Sequence, residues 1–381
     1  MRLKNCQNID DLRRLAKRKL PAPMYHYIAG GADDELTLRR NTRAFDDYEL
    51  LPSQLNDVSS IDTSTRVLGV DLEWPMILSP TGMNRLFHHS AEPAVARAAA
   101  ASGALYTLST MATTTLEDIA AEADRPKMFQ VYILRDRALT KEFVVRCKEA
   151  GYQALCLTVD TAIAGNRERD RVYGMTMPPR FSLASLFSFA VHVEWAVNFL
   201  LHPRFELANV AHRARSMQAG AISLIDYVNS QFDPSVTWDD AAWLVEQWDG
   251  PFVIKGLQSA ADAKMAHAVG ATGIMISNHG GRQLEGVPAA IDSLVPIREA
   301  VGNALELIVD GGVRRGTHIV KALALGADAV SIGRPYLYGL AAAGEEGVAT
   351  ALHILRSEFE RSLALLGCSS VAELAESHIR R

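Results

Sequence analysis

Short apolar runs alternate with amphipathic stretches along most of this chain. Four such runs are Phe252-Val-Ile-Lys-Gly256, Thr272-Gly-Ile-Met-Ile-Ser277, Leu305-Glu-Leu-Ile-Val-Asp-Gly-Gly312 and Ala329-Val-Ser-Ile-Gly333. Each is rich in β-branched and aliphatic residues and ends in a polar residue or glycine; alanine-rich stretches such as residues 260–269 and 316–325 follow. That pattern predicts parallel strands buried on both faces, each followed by a covering helix. The first half supplies four more runs, at residues 75–80, 104–109, 127–132 and 154–160. About eight βα units in succession predict an α/β fold, a (β/α)8 TIM barrel behind an N-terminal helical segment, rather than an open doubly wound sheet.

In such a barrel the active site sits at the C-terminal ends of the strands. The residues there are Pro80, Thr81, Gly82, Ser109, Gln130, Tyr132, Thr158, Asp160, Lys255, the segment from Ser277 to Arg282, Asp310, Gly311, Gly312, Gly333 and Arg334. Packing alone would not select so many polar, charged and glycine residues. Within this set the loop Ser277-Asn-His-Gly-Gly-Arg-Gln283 stands out. An imidazole there can take a proton near neutral pH, and a guanidinium three positions on can grip a carboxylate with two parallel hydrogen bonds. Together they suit the oxidation of a 2-hydroxy acid. Taken alone, the loop also reads as a glycine-rich turn with a solvated His and Arg.

One interval breaks the rhythm: about ninety residues separate the fourth run from the fifth, far more than a βα connection needs. The insertion spans about 174–235 and contains an aromatic-rich apolar stretch from Phe181 to Leu201, between Arg180 and Arg204. The stretch is long enough to cross a bilayer, but His192, Glu194 and Asn198 argue for lying in the interface instead. A lid packed on the barrel and an oligomer contact are the competing readings.

A length of 381 residues with 48% hydrophobic content is enough for one large barrel domain covering residues 1–381, with no second domain required. The net charge of −5 and the lack of a long basic run argue against nucleic acid as the main partner. Cys6, Cys147, Cys156 and Cys368 show no CxxC spacing, so neither a metal site nor a disulfide framework is expected. No apolar signal segment is evident near the N-terminus, which carries a basic amphipathic pattern, so a cytoplasmic protein, peripheral on the inner face of the membrane if the insertion binds there, is the expectation.

Joined at barrel spacing, Ser277-Asn-His-Gly-Gly-Arg-Gln-Leu284, Asp310-Gly-Gly-Val-Arg-Arg-Gly316 and Gly333-Arg-Pro335 resemble the family of FMN-dependent L-2-hydroxy acid dehydrogenases and oxidases. The likeness runs from Leu20-Pro21 and the segment Tyr25-His-Tyr-Ile-Ala-Gly-Gly-Ala-Asp-Asp34 to Pro335. It implies FMN as cofactor, which spacing alone would not; the Gly-Gly-Val-Arg-Arg-Gly run is not a dinucleotide fingerprint. The resemblance makes His279 the catalytic base and Asp160 the carboxylate that orients it; a turn cap is the other reading of Asp160. It gives Arg282 and Arg167 to the substrate carboxylate, with Arg169 a neighbour that could be confused with Arg167. Tyr27 and Tyr132 would contact substrate, although either could be a core aromatic. Lys255 would lie near flavin N1 and O2, Ser109, Gln130, Thr158 and Ser277 near the ring edge, and Pro80, Thr81 and Gly82 near N5. Asp310, Gly311, Gly312, Arg314, Gly333 and Arg334 would lie around the ring and phosphate.

The resemblance also implies a homotetramer and, from the long insertion and the His88-His89 region, the membrane-associated bacterial L-lactate dehydrogenases in particular. Met111 and Ala164 stand where glycolate oxidases carry larger residues, and Gly82 where oxidases carry alanine. L-Lactate to pyruvate is the first expectation, with electrons passed to quinone or another carrier; mandelate, a larger acid or an oxygen-using oxidase are alternatives. Two readings of other classes stay open: a lysine-dependent barrel aldolase using Lys255, and a non-catalytic barrel that only attaches to membrane.

Overall fold

The computed structural model describes residues 2–175, 179–202, 205–212 and 230–381. Arg204 and parts of the insertion lie outside the described residues. Eight parallel strands close into a barrel: β1 Met76–Leu78, β2 Leu105–Ser109, β3 Lys127–Val131, β4 Ala154–Thr158, β5 Phe252–Leu257, β6 Gly273–Ser277, β7 Glu306–Asp310 and β8 Ala329–Ile332. Each pairs with its sequence neighbours, and β8 returns to β1. All eight strands lie where the apolar runs predicted them, trimmed by a residue or two at several ends.

Strand alternation sorts these residues into two layers. Met76, Leu78, Phe129, Leu155, Ile254, Ile276, Val309 and Ile332 face outward into the core shared with the helices. Ile77, Leu105, Met128, Ala154, Cys156, Val253, Met275, Ile308 and Ala329 form a separate apolar cluster inside the barrel. The antiparallel ribbon of Thr65–Val67 and Val70–Leu72 joins that inner cluster, and Leu68 N donates to Glu306 Oε2 (2.6 Å) at the start of β7, so the ribbon plugs the N-terminal end. Further along the same inward parity every strand turns polar: Ser79, Ser109, Gln130, Thr158, Lys255, Ser277, Asp310 and Ser331 are all buried. Position along the strand, rather than along the chain, separates barrel packing from chemistry.

The N-terminal segment forms α1 (Ile9–Lys19), α2 (Ala22–Ala29) and α3 (Leu36–Arg43). Asn8 caps α1 by accepting from Asp11 N (2.9 Å), and acidic residues in its first turn with basic residues in its last suit the helix dipole. Helix α1 packs on the long C-terminal helix Arg334–Leu366, which breaks at Ala343 and Gly344.

The apolar stretch of the insertion is two helices, Leu183–Val191 and Val193–Leu201, bent by 84° at His192. Among the described residues no single helix is long and apolar enough to cross a membrane. One side of the pair is attached to the protein: Ser188 Oγ accepts from Ala22 N (2.9 Å), Lys19 pairs with Glu194 (2.6 Å), and Trp195 Nε1 donates to Leu86 O (2.8 Å). The other side leaves Leu183, Phe187, Leu200 and Leu201 at least 69% exposed.

Three histidines are held neutral in packed aromatic or imidazole contacts. His26 stacks on Tyr173 (3.8 Å), His318 on Phe45 (4.4 Å) and His88 on His89 (4.3 Å). Burial, with nearby cations or imidazole adding to it, lowers His26 and His88 to about 4 and His318 to about 3. Because the unfolded chain takes these protons near pH 6.5, the stability they confer is complete above that pH and is lost as pH falls toward about 4. Thermal denaturation across that window should show a steadily falling midpoint; a flat midpoint would mean these rings are not buried neutral.

Candidate active site

A cavity of about 800 Å³ opens at the C-terminal end of the barrel. His279 enters it from a loop held in an unusual backbone: His279, Gly280 and Gly281 have φ of 57°, 65° and 72°. A left-handed histidine between a strand and two glycines is a strained choice that turns the ring back across the barrel mouth. The loop is pinned from below, where Asn41 and Asn278 exchange side-chain hydrogen bonds (2.8 and 2.7 Å) and Gly281 N donates to Asn278 Oδ1 (3.0 Å).

His279 Nδ1 lies 2.9 Å from Asp160 Oδ1. The carboxylate fixes the tautomer with the proton on Nδ1, leaving Nε2 as the acceptor. Burial lowers the His279 pKa, and the pull of Asp160 only partly reverses it, so the imidazole is neutral at pH 7. Burial would raise Asp160, but its close pairing with His279 and the ammonium of Lys255 outweigh it and keep the carboxylate ionised. Asp160 lies two residues past the end of β4, beside an irregularity in β5 where the register shifts between Lys255 and Leu257. The residue left out of step is Gly256 (φ 108°), and a Cβ there would sit 2.8 Å from Asp160 Cβ and Cγ, so glycine makes the approach possible.

Lys255 Nζ donates to Ser277 Oγ (2.9 Å), which in turn donates to Asp310 Oδ2 (2.7 Å); the Lys255–Asp310 separation is 3.3 Å. Ser277 Oγ also accepts from His279 N (3.0 Å), tying the two strand ends together. Burial acts to lower Lys255, yet the carboxylates of Asp310 and Asp160 more than offset it and hold the ammonium protonated. A Schiff-base lysine needs the opposite shift, so this environment disfavours the aldolase reading.

Arg282 Nη1 donates to Tyr27 O (2.6 Å) and Gly30 O (3.1 Å), and its guanidinium lies over the Tyr27 ring at 4.9 Å. Burial lowers its pKa to about 10, which leaves it charged. Arg167 reaches the same wall through Arg282 O and Gln283 Oε1 (both 3.3 Å). Arg169 does not line the cavity; it pairs with Glu35 (2.5 Å), which separates the two arginines that the sequence left confusable. Arg334 donates to Ile28 O, Gly280 O and Gly30 O, and Arg314 is buried beside it on the loop after β7.

Tyr27, Pro80, Thr81, Gly82, Ser109, Met111, Tyr132, Ala164, Gly311, Gly312 and Gly333 all line the cavity with these residues. Asp160, Gln130, Thr158 and Ser277 are not in its lining and sit behind it at the strand ends. Three features fit FMN. Gln130 Nε2 and Thr158 Oγ1 are buried without a protein partner on neighbouring strands. Seven Arg or Lys residues but only two Asp residues line the cavity among those described, which asks for a bound anion. The protonated Lys255 lies where added negative charge would be stabilised. Sequence reasoning missed Asp170, whose carboxyl burial raises in pKa between Arg282 and Arg167, and missed Asn41 and Phe232. Asp170 stood in the same short segment as Arg167; the other two are far from the motifs and left no local signal.

Comparison with known proteins agrees with this geometry. A sequence profile for FMN-dependent dehydrogenases matches residues 16–381. Glycolate oxidase 1 of Zea mays is 41% identical over 372 residues, covering 98% of this chain and 95% of the relative, and glycolate oxidase of Spinacia oleracea is 40% identical with the same coverage. The structure of (S)-mandelate dehydrogenase, described as a monotopic membrane protein, superposes with a TM-score of 0.94 at 35% identity over 99% of both chains. A soluble mutant of the membrane-associated (S)-mandelate dehydrogenase from Pseudomonas putida gives 0.84 at 34% identity, again over 99% of both chains. The chain therefore belongs to the FMN-dependent dehydrogenase family, the 2-hydroxy acid oxidases and dehydrogenases, and FMN is its cofactor.

Proposed function

We propose that this protein is an L-2-hydroxy acid dehydrogenase acting on an acid with an apolar side chain, a mandelate-type acid ahead of L-lactate, and forming the 2-oxo acid. The observation that carries the reading is the His279–Asp160 pair facing two arginines across one cavity whose remaining wall includes Met111, Ile163, Ala164 and Met175. L-Lactate suits the same anchors, but its methyl group would leave most of that wall untouched.

Arg282 and Arg167 hold the carboxylate; the carbonyls of Tyr27 and Gly30 fix one edge of the Arg282 fork and leave Nε and Nη2 to face substrate. Tyr27 and Tyr132 border the substrate carboxylate and hydroxyl. His279 Nε2 takes the hydroxyl proton, and Asp160 stabilises the imidazolium that results. Lys255, Ser109, Gln130, Thr158 and Ser277, with Pro80, Thr81 and Gly82, would hold the flavin ring. Gly311, Gly312, Arg314, Gly333 and Arg334 would hold the phosphate, and Asp310 positions Lys255. When bound, FMN supplies the acceptor for the electron pair that leaves the substrate carbon. We take residues 1–381 as one barrel domain carrying the insertion, peripheral on the inner membrane face, and quinone as the onward acceptor.

His279→Gln should keep the purified protein yellow and slow anaerobic flavin reduction by about 10²–10⁴-fold, the range for a lost general base. Because His279 must be neutral to act and its pKa is lowered from 6.5, the wild-type rate should be level at neutral pH and fall only on acidification below that value. Stopped-flow traces with mandelate, L-lactate and glycolate test both points; near-normal reduction in the variant would sink the assignment, and a preference for glycolate would sink the substrate class.

The acceptor is best read on the unaltered protein. A Cβ at Gly82 would meet Met111 Cβ at 2.7 Å and Met111 O at 3.1 Å, so Gly82→Ala would disturb the substrate wall as well as the flavin face. Substrate-reduced enzyme should reoxidise faster with a soluble quinone than with oxygen, and the reverse order would mark an oxidase.

The exposed face of the bent helix pair supports membrane attachment by interfacial insertion. Exchanging Leu183, Phe187, Leu200 and Leu201 for serine should release the protein from lipid vesicles in a flotation assay while flavin reduction persists. Undiminished vesicle binding would assign that face to another contact.

A further inference from the structure

Behind the substrate wall lies a second, much smaller cavity of about 10 Å³, lined by Thr110, Leu134, Leu139 and Val210 together with Met111, Tyr132, Gln231 and Phe232. Of its polar side chains, Thr110 and Gln231 have hydrogen bonds elsewhere: Thr110 Oγ1 donates to Gln130 O (2.7 Å), and Gln231 Oε1 accepts from Asp136 N (3.1 Å). A void this small and this apolar stays dry. Met111, Tyr132 and Phe232 line both cavities, so these three side chains are the partition between them.

The three are not equivalent. Tyr132 and Met111 follow barrel strands and border the acid itself. Phe232 arrives from the far end of the insertion and is clamped there by its backbone. Leu134 and Phe232 form an antiparallel bridge, Gln231 O accepts from Arg135 N (2.8 Å), Phe232 O accepts from Arg135 Nε (3.2 Å), and Asp233 pairs with Arg137 (2.9 Å). With the backbone fixed, the Phe232 ring meets Tyr132 edge to face at 5.0 Å and closes the gap toward Leu134, Leu139 and Val210.

We propose that Phe232 determines substrate selectivity: its ring ends the substrate chamber, and the dry cavity behind it is space for a longer apolar side chain once the ring is removed. The inference rests on the 2-hydroxy acid reading above and adds the residue that limits side-chain length. Truncation at this position leaves His279, Arg282 and Arg167 in place, so its effect should appear as a change of preference along a homologous series rather than as a uniform loss of rate.

The test uses FMN-loaded wild type, Phe232→Ala, Phe232→Leu and Phe232→Trp, reduced anaerobically by L-2-hydroxy acids from 2-hydroxybutanoate to 2-hydroxyoctanoate. The ratio of second-order rate constants, longest acid over shortest, should rise about tenfold or more in Phe232→Ala, since each methylene accommodated in an apolar pocket is worth at least that. It should rise less in Phe232→Leu and fall in Phe232→Trp. Titration of the oxidised flavin spectrum with the matching 2-oxo acids should give the same order in binding, without turnover. If Phe232→Ala fails to retain flavin, the leucine and tryptophan variants carry the comparison. One chain-length profile shared by all proteins that the acids reduce would overturn the role of Phe232 and leave the function standing. A wild-type flavin that no 2-hydroxy acid reduces would overturn the function and this inference with it.

Discussion

Buried positive charge is the constraint on which the rest of this structure depends. Lys255, Arg282, Arg314 and Arg334 are gathered around one cavity with Arg167, and two carboxylates in its lining cannot balance them. Desolvating a cation is expensive unless something pairs with it. The protein answers in two ways. Lys255 is given a carboxylate and a hydroxyl, whereas Arg282 and Arg334 are given backbone carbonyls, which fix their direction and leave their charge unspent. That residual charge is what a phosphate and a carboxylate would neutralise, so the cofactor and substrate complete an electrostatic arrangement that the polypeptide leaves open. By mass action, any such ligand that binds only the folded state also stabilises it.

The barrel makes this arrangement possible because it separates packing from chemistry along one axis. The lower inward positions are filled by Ile77, Val253, Met275 and Ile308, and the ribbon at the bottom seals them. The upper inward positions are buried serines, a threonine, a glutamine, a lysine and an aspartate. Polar residues at that height have a rigid apolar base, so His279 and Lys255 are linked through Ser277 over distances that side-chain motion in a loop would not preserve.

Much of this was legible in the sequence because it follows from local pattern. The eight strands announced themselves by apolar runs ending in polar residues, and the loop from Ser277 to Gln283 carried both the base and the anchor in adjacent positions. What stayed hidden was set by contacts between distant segments. The hydrogen bonds of Asn41 with Asn278 join residues 237 positions apart, and nothing near Asn41 marks it. The strand irregularity at Gly256 is visible only once Asp160 is seen against it. The bend at His192, which divides the apolar stretch of the insertion into two short helices, was likewise invisible to hydropathy, which reads length and composition but not direction.

One atom ties these observations to the way the protein must assemble. The carbonyl oxygen of Gly30 accepts from both Arg282 and Arg334, so a segment before the barrel, the loop after β6 and the start of the long helix after β8 meet at a single point. Contacts between residues more than 250 positions apart form only after the intervening loops have closed. A chain folding strand by strand would therefore have its barrel walls before it had its anion sites. Capture of the cofactor then becomes a late event that reports completion of the fold, and intermediates lacking the N-terminal closure should be colourless however much sheet they contain.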